Sequence, residues 1–282
     1  MIARIWGCRG SLASPGPDTV KYGGNTSCVE LRVDEDTLIV FDAGTGIRSL
    51  GLTMEENPPA VVHVLLTHLH MDHLEGLGFF EPFWSKEVDF HIWGPRTTVR
   101  SLEESIAKYL SPPLFPVALS EVPSTPEFHD VPRTEWEIAG LKIVAGPVKH
   151  PGPTVGYRVS HNGSTFVYIP DHEPARGGVD LTAAEPRWIS GYGLAQGADV
   201  LLHDSQYTEQ EYATRVGWGH SSVKDTIAFS HATGVKRLVM FHHDPMHTDD
   251  ELEELLAYAR SLWNGGGDPP VLAHEGMEID LA

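Results

Sequence analysis

The chain is poor in cysteine, and it has no long hydrophobic run. Its 282 residues include only two cysteines, Cys8 and Cys28, which are too few for a disulfide framework in a chain of this length. A reduced, cytoplasmic setting is therefore expected. No uninterrupted apolar run approaches the roughly 18 residues that a membrane helix needs, and the first residues lack the apolar segment of a secretory signal. The sequence thus predicts a protein without a membrane partner.

Basic residues are also scarce, since 39 acidic residues face 20 basic ones and the formal net charge is −19. An acidic surface repels phosphate backbones and anionic lipid, so a general nucleic-acid-coating or membrane-surface role is not expected. A small anionic substrate is still compatible with this charge, because bound divalent ions reverse the sign of the potential inside a site.

Short apolar runs bounded by turn residues dominate the chain and are typical of strands. The predicted strands are 2–6, 28–33, 37–41, 61–66, 90–93, 141–145, 154–160, 165–169, 200–202, 237–241 and 271–273. Helices are predicted over 99–110, 188–195, 223–233 and 249–262. This order indicates two sheets with helices outside, an α/β arrangement in one domain over 1–282. The proline-rich stretch 111–132 is predicted to be a long loop or an insertion, of the kind that can cover a site.

What is abundant is histidine, with 16 residues. The predicted strand 61–66 runs directly into four ligand-type residues within six positions, His68, His70, Asp72 and His73. Side chains at i and i+2 of an extended backbone point the same way, and buried polar groups without partners cost several kcal/mol. Imidazole and carboxylate are ligands of zinc. The segment therefore predicts a metal site, and a polar loop with surface histidines is the alternative.

The pattern His68-x-His70-x-Asp72-His73 resembles the HxHxDH signature of the metallo-β-lactamase superfamily. Other motifs of that superfamily follow in order over nearly the whole chain. They are Asp42 in the strand-end turn 41–46, His150 in 148–151, Asp171 after a predicted strand, and His242 after the strand 237–241. The resemblance implies a four-layer αββα sandwich and two divalent metal ions, with zinc expected and manganese or iron as alternatives.

The superfamily pattern, carried over residue by residue, assigns each of these side chains a role. The first metal would be held by His68, His70 and His150, the second by Asp72, His73 and His242, and Asp171 would bridge the two. Asp42 would orient a ligand histidine. Two histidines compete with these assignments, His243 beside His242 and His172 beside Asp171. Strand alternation turns neighbouring side chains in opposite directions, so only one of His242 and His243 is expected to face the metals.

The segments 198–205, 219–223 and 234–242 resemble the phosphodiesterase branch of the superfamily, which includes ribonuclease Z and the phosphoribosyl cyclic phosphodiesterase. In that branch a histidine at the position of His220 contacts the phosphate and protonates the leaving oxygen, with an acidic partner at the position of Asp204. A two-metal centre supplies a hydroxide near neutral pH. The resemblance thus makes Asp72, Asp204 and His220 catalytic. The alternative for His220 is a residue before a helix that Ser221 or Ser222 caps.

Two departures from ribonuclease Z bear on the substrate. The chain continues past His242 with His243, Asp244 and Pro245 instead of a serine and an arginine or tyrosine, and it has no clear basic, glycine-rich arm. A small phosphodiester, such as a cyclic nucleotide or a cyclic sugar phosphate, is therefore the expected substrate. Processing of tRNA 3′ ends is the alternative, so RNA is not the expected partner but stays a possible one.

Two other classes are compatible with the fold. A lactone or thioester hydrolase would leave the pair of Asp204 and His220 without a role, because its leaving group needs less help from an acid. A non-catalytic metal-binding protein would leave the complete ligand set without a role. Relatives of this branch are often dimers, so a homodimer also stays open.

Overall fold

A computed structural model describes residues 1–32, 34, 36–54, 57–176, 178–264 and 266–281. Within these residues the strands form two seven-stranded sheets. The strands are β1 (Ile2–Gly7), β2 (Cys28–Arg32), β3 (Thr37–Phe41), β4 (Val61–Leu65), β5 (Asp89–Gly94), β6 (Glu127–Asp130), β7 (Trp136–Ile138), β8 (Leu141–Pro147), β9 (Val155–His161), β10 (Ser164–Ile169), β11 (Val200–Asp204), β12 (Arg237–Phe241), β13 (Val271–Leu272) and β14 (Glu278–Asp280). The first sheet has the order β14-β1-β2-β3-β4-β5-β6 and the second β13-β12-β11-β10-β9-β8-β7.

Helices cover the outer face of each sheet. They are α1 (Gly46–Leu52), α2 (Leu102–Tyr109), α3 (Tyr192–Ala195), α5 (Val223–Thr233) and α6 (Asp249–Leu262), while α4 (Glu209–Arg215) has no buried residue. One buried apolar cluster joins α1 and α2 to the first sheet, and another joins α3, α5 and α6 to the second. A third cluster, which includes Phe41, Tyr157 and Phe241, lies between the sheets. The chain therefore has the predicted four-layer αββα architecture. None of the described helices is long and apolar enough to cross a membrane.

Parallel strands form the part of each sheet that matters for the site. In the first sheet β3, β4, β5 and β6 run parallel, and in the second β10, β11, β12 and β13 do. The carboxyl ends of parallel strands meet at one edge of a sheet, where α/β proteins bind their ligands. Asp42, Asp171 and His242 each follow the end of such a strand, β3, β10 and β12 respectively.

The strongly apolar strands lie close to their predicted positions. Most differences between prediction and structure concern short, polar strands at the edges of the two sheets. The prediction missed β6, β7 and β14, which are three or four residues long and mostly polar or half-exposed. The stretch 111–132 is therefore not a loop throughout, because β6 pairs with β5 at the edge of the first sheet. The prediction also missed α1 and α4. After β4 the chain forms two separate 3₁₀ turns at Met71–His73 and Leu77–Phe79.

The predicted starts of α5 and α6 agree with the structure, because capping is local, whereas α2 begins at Leu102 and not at residue 99. The hydroxyl of Thr248 accepts a hydrogen bond from the amide of Glu251, and the Glu251 carboxylate reaches back to Thr248, as a capping box requires. Ser222 caps α5 by accepting a hydrogen bond from the amide of Asp225 on its hydroxyl. The predicted helix 188–195 is reduced to α3, preceded by a 3₁₀ turn at Pro186–Trp188.

Candidate dinuclear metal centre

The segment after β4 delivers its four ligand-type side chains to one place. Asp72 and His73 are buried in the 3₁₀ turn Met71–His73, His68 is 2% exposed, and His70 lies at the surface. Asp42 holds this segment by accepting hydrogen bonds from the amide (2.7 Å) and hydroxyl of Thr67. The sharp change from strand to turn explains how neighbouring residues can point into the same space.

A first group of donors joins this segment to β8 and β10. It consists of His68, His70, His150 and Asp171. His70 Nδ1 lies 3.1 Å from His150 Nε2, and Asp171 Oδ2 lies 3.6 Å from the Nε2 atoms of both His68 and His150. Four protein donors thus converge from three parts of the chain.

A second group shares Asp171 with the first. It consists of Asp72, His73, Asp171 and His242, all buried. Asp171 Oδ1 lies 3.0 Å from His73 Nε2 and 3.2 Å from His242 Nε2, and Asp72 Oδ2 lies 3.2 Å from the same two nitrogens. The two oxygens of Asp171 therefore face different groups, which is the geometry of a bridging carboxylate.

Both groups fit divalent metal ions. A tetrahedral zinc with bonds of about 2.0–2.1 Å places its donors about 3.3 Å apart, close to the separations given above. His68 Nε2, His73 Nε2 and Asp171 Oδ1 are buried and make no hydrogen bond among the described residues. Such atoms cost free energy unless a partner compensates them. A metal ion in each group would provide that partner.

Four of the five grouped histidines are oriented by a hydrogen bond on the far side of the ring. In each case Nδ1 contacts another residue and Nε2 faces the group, as is usual for metal-binding histidines. The Nδ1 partners are Thr67 for His68 at 3.1 Å, Asp42 for His73 at 2.8 Å, Gly219 for His150 at 2.8 Å and Gln206 for His242 at 3.0 Å. A carbonyl or carboxylate acceptor on Nδ1 requires the tautomer with a lone pair on Nε2.

Metal binding needs neutral imidazoles and ionised carboxylates, and the ionisation of the first group suits it. Burial lowers the pKa of His68 well below its usual value, and burial also lowers the pKa of His150 to about 4. Burial raises the pKa of Asp171, but His242 and His73 outweigh this effect and hold it well below its usual value. Asp171 is therefore a carboxylate at neutral pH. In the second group burial lowers the pKa of His73, but Asp171, Asp72 and Asp42 outweigh this and raise it well above its usual value, so this ring must lose a proton when a metal binds.

Asp42 lies directly behind the second group. Its Oδ2 accepts from Tyr168 Oη at 3.0 Å as well as from His73 Nδ1, and its side chain is fully buried. Its φ of 59° is in the left-handed region, which is uncommon for residues other than glycine and occurs at functional sites. Asp42 therefore contacts the Nδ1 side of the His73 ring and fixes its orientation.

The competition between His242 and His243 is decided by the backbone. His242 has a φ of 61°, so the regular alternation ends with β12 and His242 turns into the second group. His243 points elsewhere and its Nε2 donates to the carbonyl of Ala273 at 2.9 Å. Gly10 packs against the His242 ring so closely that a Cβ there would lie 2.4 Å from Nδ1.

His172 belongs to neither group. Its ring is buried and its Nδ1 lies 2.9 Å from His203 Nε2. Its backbone amide instead donates to Asp204 Oδ2 at 3.0 Å. His172 therefore helps to place Asp204 and is not a member of the metal-ligating groups.

His220 and Asp204 form a buried ion pair beside these groups. Their Nδ1 and Oδ2 atoms are 2.8 Å apart, and the amides of Gln206 and Ser221 donate to the other carboxylate oxygen. Burial lowers the pKa of His220, but Asp204 outweighs this and raises it to about 9. The ring stacks 5.0 Å from that of His242, and Nδ1 is 3.9 Å from Asp171 Oδ2. In the metal-free protein a protonated imidazole thus lies next to the two donor groups.

Sequence reasoning missed three residues that support the site. Ser11 donates its amide to Asp72 Oδ2 at 2.7 Å, and Gln206 holds His242. Glu173 is 1% exposed and accepts from the amides of Gly217 and Gly219 at 2.7 and 3.0 Å. It thereby fixes the loop whose carbonyl orients His150. Only the position of Glu173, two residues after Asp171, hinted at such a role.

Arg9 and the two cysteines are fully buried and have structural roles. Arg9 is fully buried and donates to the carbonyls of Gly23, Asp244 and His247. Cys8 and Cys28 are buried free thiols in apolar clusters.

Residues 37–243 match the family model of the Beta-lactamase superfamily domain. The chain belongs to this superfamily. Ribonuclease Z of Porphyromonas gingivalis is 25% identical over 320 residues, which cover 98% of each chain. The metallo-β-lactamase fold protein YhfI of Bacillus subtilis has a TM-score of 0.69 at 16% identity over 99% of each chain. A diphosphatase of the PhnP family has a TM-score of 0.68 at 16% identity, over 100% of this chain and 98% of the other.

These comparisons confirm the predicted superfamily and the predicted fold. The protein is a hydrolase of the metallo-β-lactamase type, related to enzymes named ribonuclease Z. The described residues include two donor groups able to hold two metal ions.

Proposed function

We propose that this superfamily member is a dinuclear phosphodiesterase that hydrolyses a small phosphodiester. The observation that carries the proposal is the buried pair of His220 and Asp204, 2.8 Å apart, beside two donor groups that share Asp171. An alkoxide that leaves phosphorus needs a proton, and a positioned acid supplies it, whereas the thiolate that leaves a thioester is a weaker base and needs less help from an acid.

Seven residues would hold the metals, and zinc suits their nitrogen and oxygen donors best. The first site would use His68, His70 and His150, the second Asp72, His73 and His242, with Asp171 shared. When bound, two such ions neutralise phosphoryl oxygens and lower the pKa of water. The chain's own contribution is to orient these ligands through Asp42, Gly219, Gln206 and Thr67.

His220 would donate its proton to the leaving oxygen. Asp204 keeps the imidazole protonated at neutral pH and fixes Nδ1, so that Nε2 is free to face a substrate. Tyr207 packs edge-on to the ring at 5.8 Å. The guanidinium of Arg215 lies 5.0 Å above the Tyr207 ring, which brings a positive charge to this side of an otherwise acidic protein and favours an anionic substrate.

The proposal is tested by hydrolysis of bis(p-nitrophenyl) phosphate with protein reconstituted with zinc or manganese. A lactone and a thioester are assayed in parallel, and bound metal is counted by elemental analysis. Metal-dependent diester cleavage by protein that binds at least about two metal ions per chain supports the proposal. Cleavage of the lactone or thioester alone would refute it and leave His220 without the role of an acid. Bound metal without any turnover would support a non-catalytic protein.

Processing of tRNA is the second candidate, because the relative from P. gingivalis is named ribonuclease Z and matches over nearly its whole length. The net charge of −19 opposes it, since RNA binding depends on basic side chains that release counterions. A precursor tRNA with a 3′ trailer is the direct test. We expect no defined 3′ cleavage and no sub-micromolar, salt-sensitive complex. Observation of the cleavage or of the complex would favour tRNA processing over a small substrate.

A further inference from the structure

A second histidine cluster lies on the first sheet and shares no residue with the dinuclear centre. His63, His91 and Glu127 are direct partners across β4, β5 and β6, and Trp93 is the partner of His129 one pleat further on. Because partners in a sheet point to the same face, and so do residues two apart, these five side chains form one patch. The register of three parallel strands thus assembles the cluster.

Three atoms of this patch converge. His91 Nδ1 lies 3.0 Å from His129 Nε2, and Glu127 Oε2 lies 3.6 and 3.8 Å from these two nitrogens. Donors on a tetrahedral zinc are about 3.3 Å apart, so the three separations bracket the value for one shared ion. Two histidines and one glutamate are a ligand set that zinc uses with a fourth position open to solvent.

Neighbouring side chains orient both rings. Asp89 Oδ1 lies 3.3 Å from His91 Nε2, and a proton shared there leaves the lone pair of Nδ1 for the cluster. Trp93 stacks on His129 with centroids 4.2 Å apart and planes at 21°. His63 stacks on His91 at 4.7 Å and 14°. The two donor nitrogens are therefore held before any ion arrives.

A hydrogen bond between two neutral imidazoles would also explain the 3.0 Å separation. It would not explain why the Glu127 carboxylate approaches both nitrogens, although this side chain is 64% exposed and free to extend into water. An ion that attracts all three donors accounts for the whole arrangement.

We propose that His91, Glu127 and His129 bind a further divalent transition-metal ion, zinc by ligand chemistry, which fastens β6 to β5. β6 is a four-residue edge strand at the end of the proline-rich segment, and short edge pairings open easily. Two ligands on β6 and one on β5 would close this edge. The site stands apart from the dinuclear centre and from the proposed function.

The test is the zinc content of the full chain after chelator treatment and reloading. Wild-type protein should retain about three zinc ions per chain, and Glu127→Gln and His129→Ala should retain about two. Glu87→Gln and His161→Ala are matched controls, because Glu87 is exposed near the same strand and His161 belongs to neither metal group. The controls should retain three. Glu127→Gln changes an exposed side chain, so a folded variant is expected even where His129→Ala is unstable.

Hydrogen exchange of backbone amides tests the proposal independently of the zinc content. Zinc should slow exchange of the amides of 127–130 at least tenfold in wild-type protein and in Glu87→Gln, but not in Glu127→Gln. Equal zinc content in wild type and Glu127→Gln, together with the same exchange rates, would overturn the proposal. Loss of zinc from the controls as well would overturn it too, because it would show nonspecific binding. Hydrolysis enters neither measurement, so failure of the proposed function would not affect the result.

Discussion

The carbonyl oxygen of Gly219 accepts a hydrogen bond from His150 Nδ1 at 2.8 Å. This contact joins the loop before α5 to the first metal-ligating group. Gly219 itself has a φ of 95° and its amide is held by buried Glu173 at 3.0 Å. The loop that carries His220 thus also orients the His150 ring.

Replacement of Gly219 by alanine should damage the first group. A Cβ there would lie 2.2 Å from Pro151 Cδ and 2.4 Å from His150 Nδ1, so His150 must shift. We expect zinc affinity of the dinuclear centre to fall by roughly 10- to 100-fold, as for other residues that orient a metal ligand. Competition with a chromogenic chelator measures this. Gly152→Ala is the control, since Gly152 also has a positive φ of 87° but no atom within 4 Å of a Cβ. An equal loss in both variants would attribute the effect to backbone strain alone.

Replacement of Asp171 by alanine should remove metal from both groups. Each carboxylate oxygen faces different histidine nitrogens, His68 and His150 on one side and His73 and His242 on the other. Elemental analysis should find less than about half of the dinuclear zinc, and diester hydrolysis should become undetectable. Asp180→Ala, an exposed carboxylate elsewhere, is the control. Full zinc content with normal turnover in Asp171→Ala would contradict the bridging role.

His220→Ala should leave the metal content unchanged while it slows turnover. General acid help is worth roughly 10²- to 10⁴-fold, and it matters most when the leaving alkoxide is strongly basic. The expected loss is therefore larger for a diester with an alkyl leaving group than for bis(p-nitrophenyl) phosphate. Hydrolysis rates with both substrates, measured together with the metal content of the variant, test this prediction. Equal losses for both, or none, would remove the assignment of His220 as the acid.

The ion pair of His220 and Asp204 should make the stability of the metal-free protein depend on pH. Burial lowers the pKa of His220, but Asp204 raises it overall from 6.5 to about 9. A raised folded-state pKa stabilises the protein fully below pH 6.5, and this contribution is lost as pH rises through about 9. The shift corresponds to roughly 3 kcal/mol.

Asp204→Asn tests this expectation. The unfolding free energy of the chelator-treated variant should fall furthest below that of wild type at pH 6, and the gap should narrow by pH 9.5. Denaturant unfolding at several pH values measures it. Asp199→Asn is the control, because Asp199 pairs with exposed Lys236 outside the site. A gap between wild type and Asp204→Asn that is constant from pH 6 to 9.5 would show that Asp204 acts only through its backbone hydrogen bonds.

Much of the candidate site could be predicted from the sequence because its ligand-type residues are local features. His68, His70, Asp72 and His73 follow one apolar strand directly, and His150, Asp171 and His242 follow or flank others. Ligand-type side chains at the ends of buried strands carry a recognisable pattern, and parallel strands then bring those ends together. The apolar strands and a serine cap before α5 could be predicted for the same local reason.

Contacts between distant segments were decided only by the tertiary structure. The choice of His242 over His243 depends on a backbone with φ of 61° packed against Gly10, and strand alternation alone does not reveal it. Glu173, Gln206 and Ser11 act through hydrogen bonds to residues 36 to 61 positions away in the sequence. A single carboxylate, side-chain amide or backbone amide has no sequence signature. The pairing of β6 with β5, which brings His129 to His91, depends on register across an edge strand too short and polar to be recognised. Sequence thus determined which side chains could bind metal, and packing determined which of them meet.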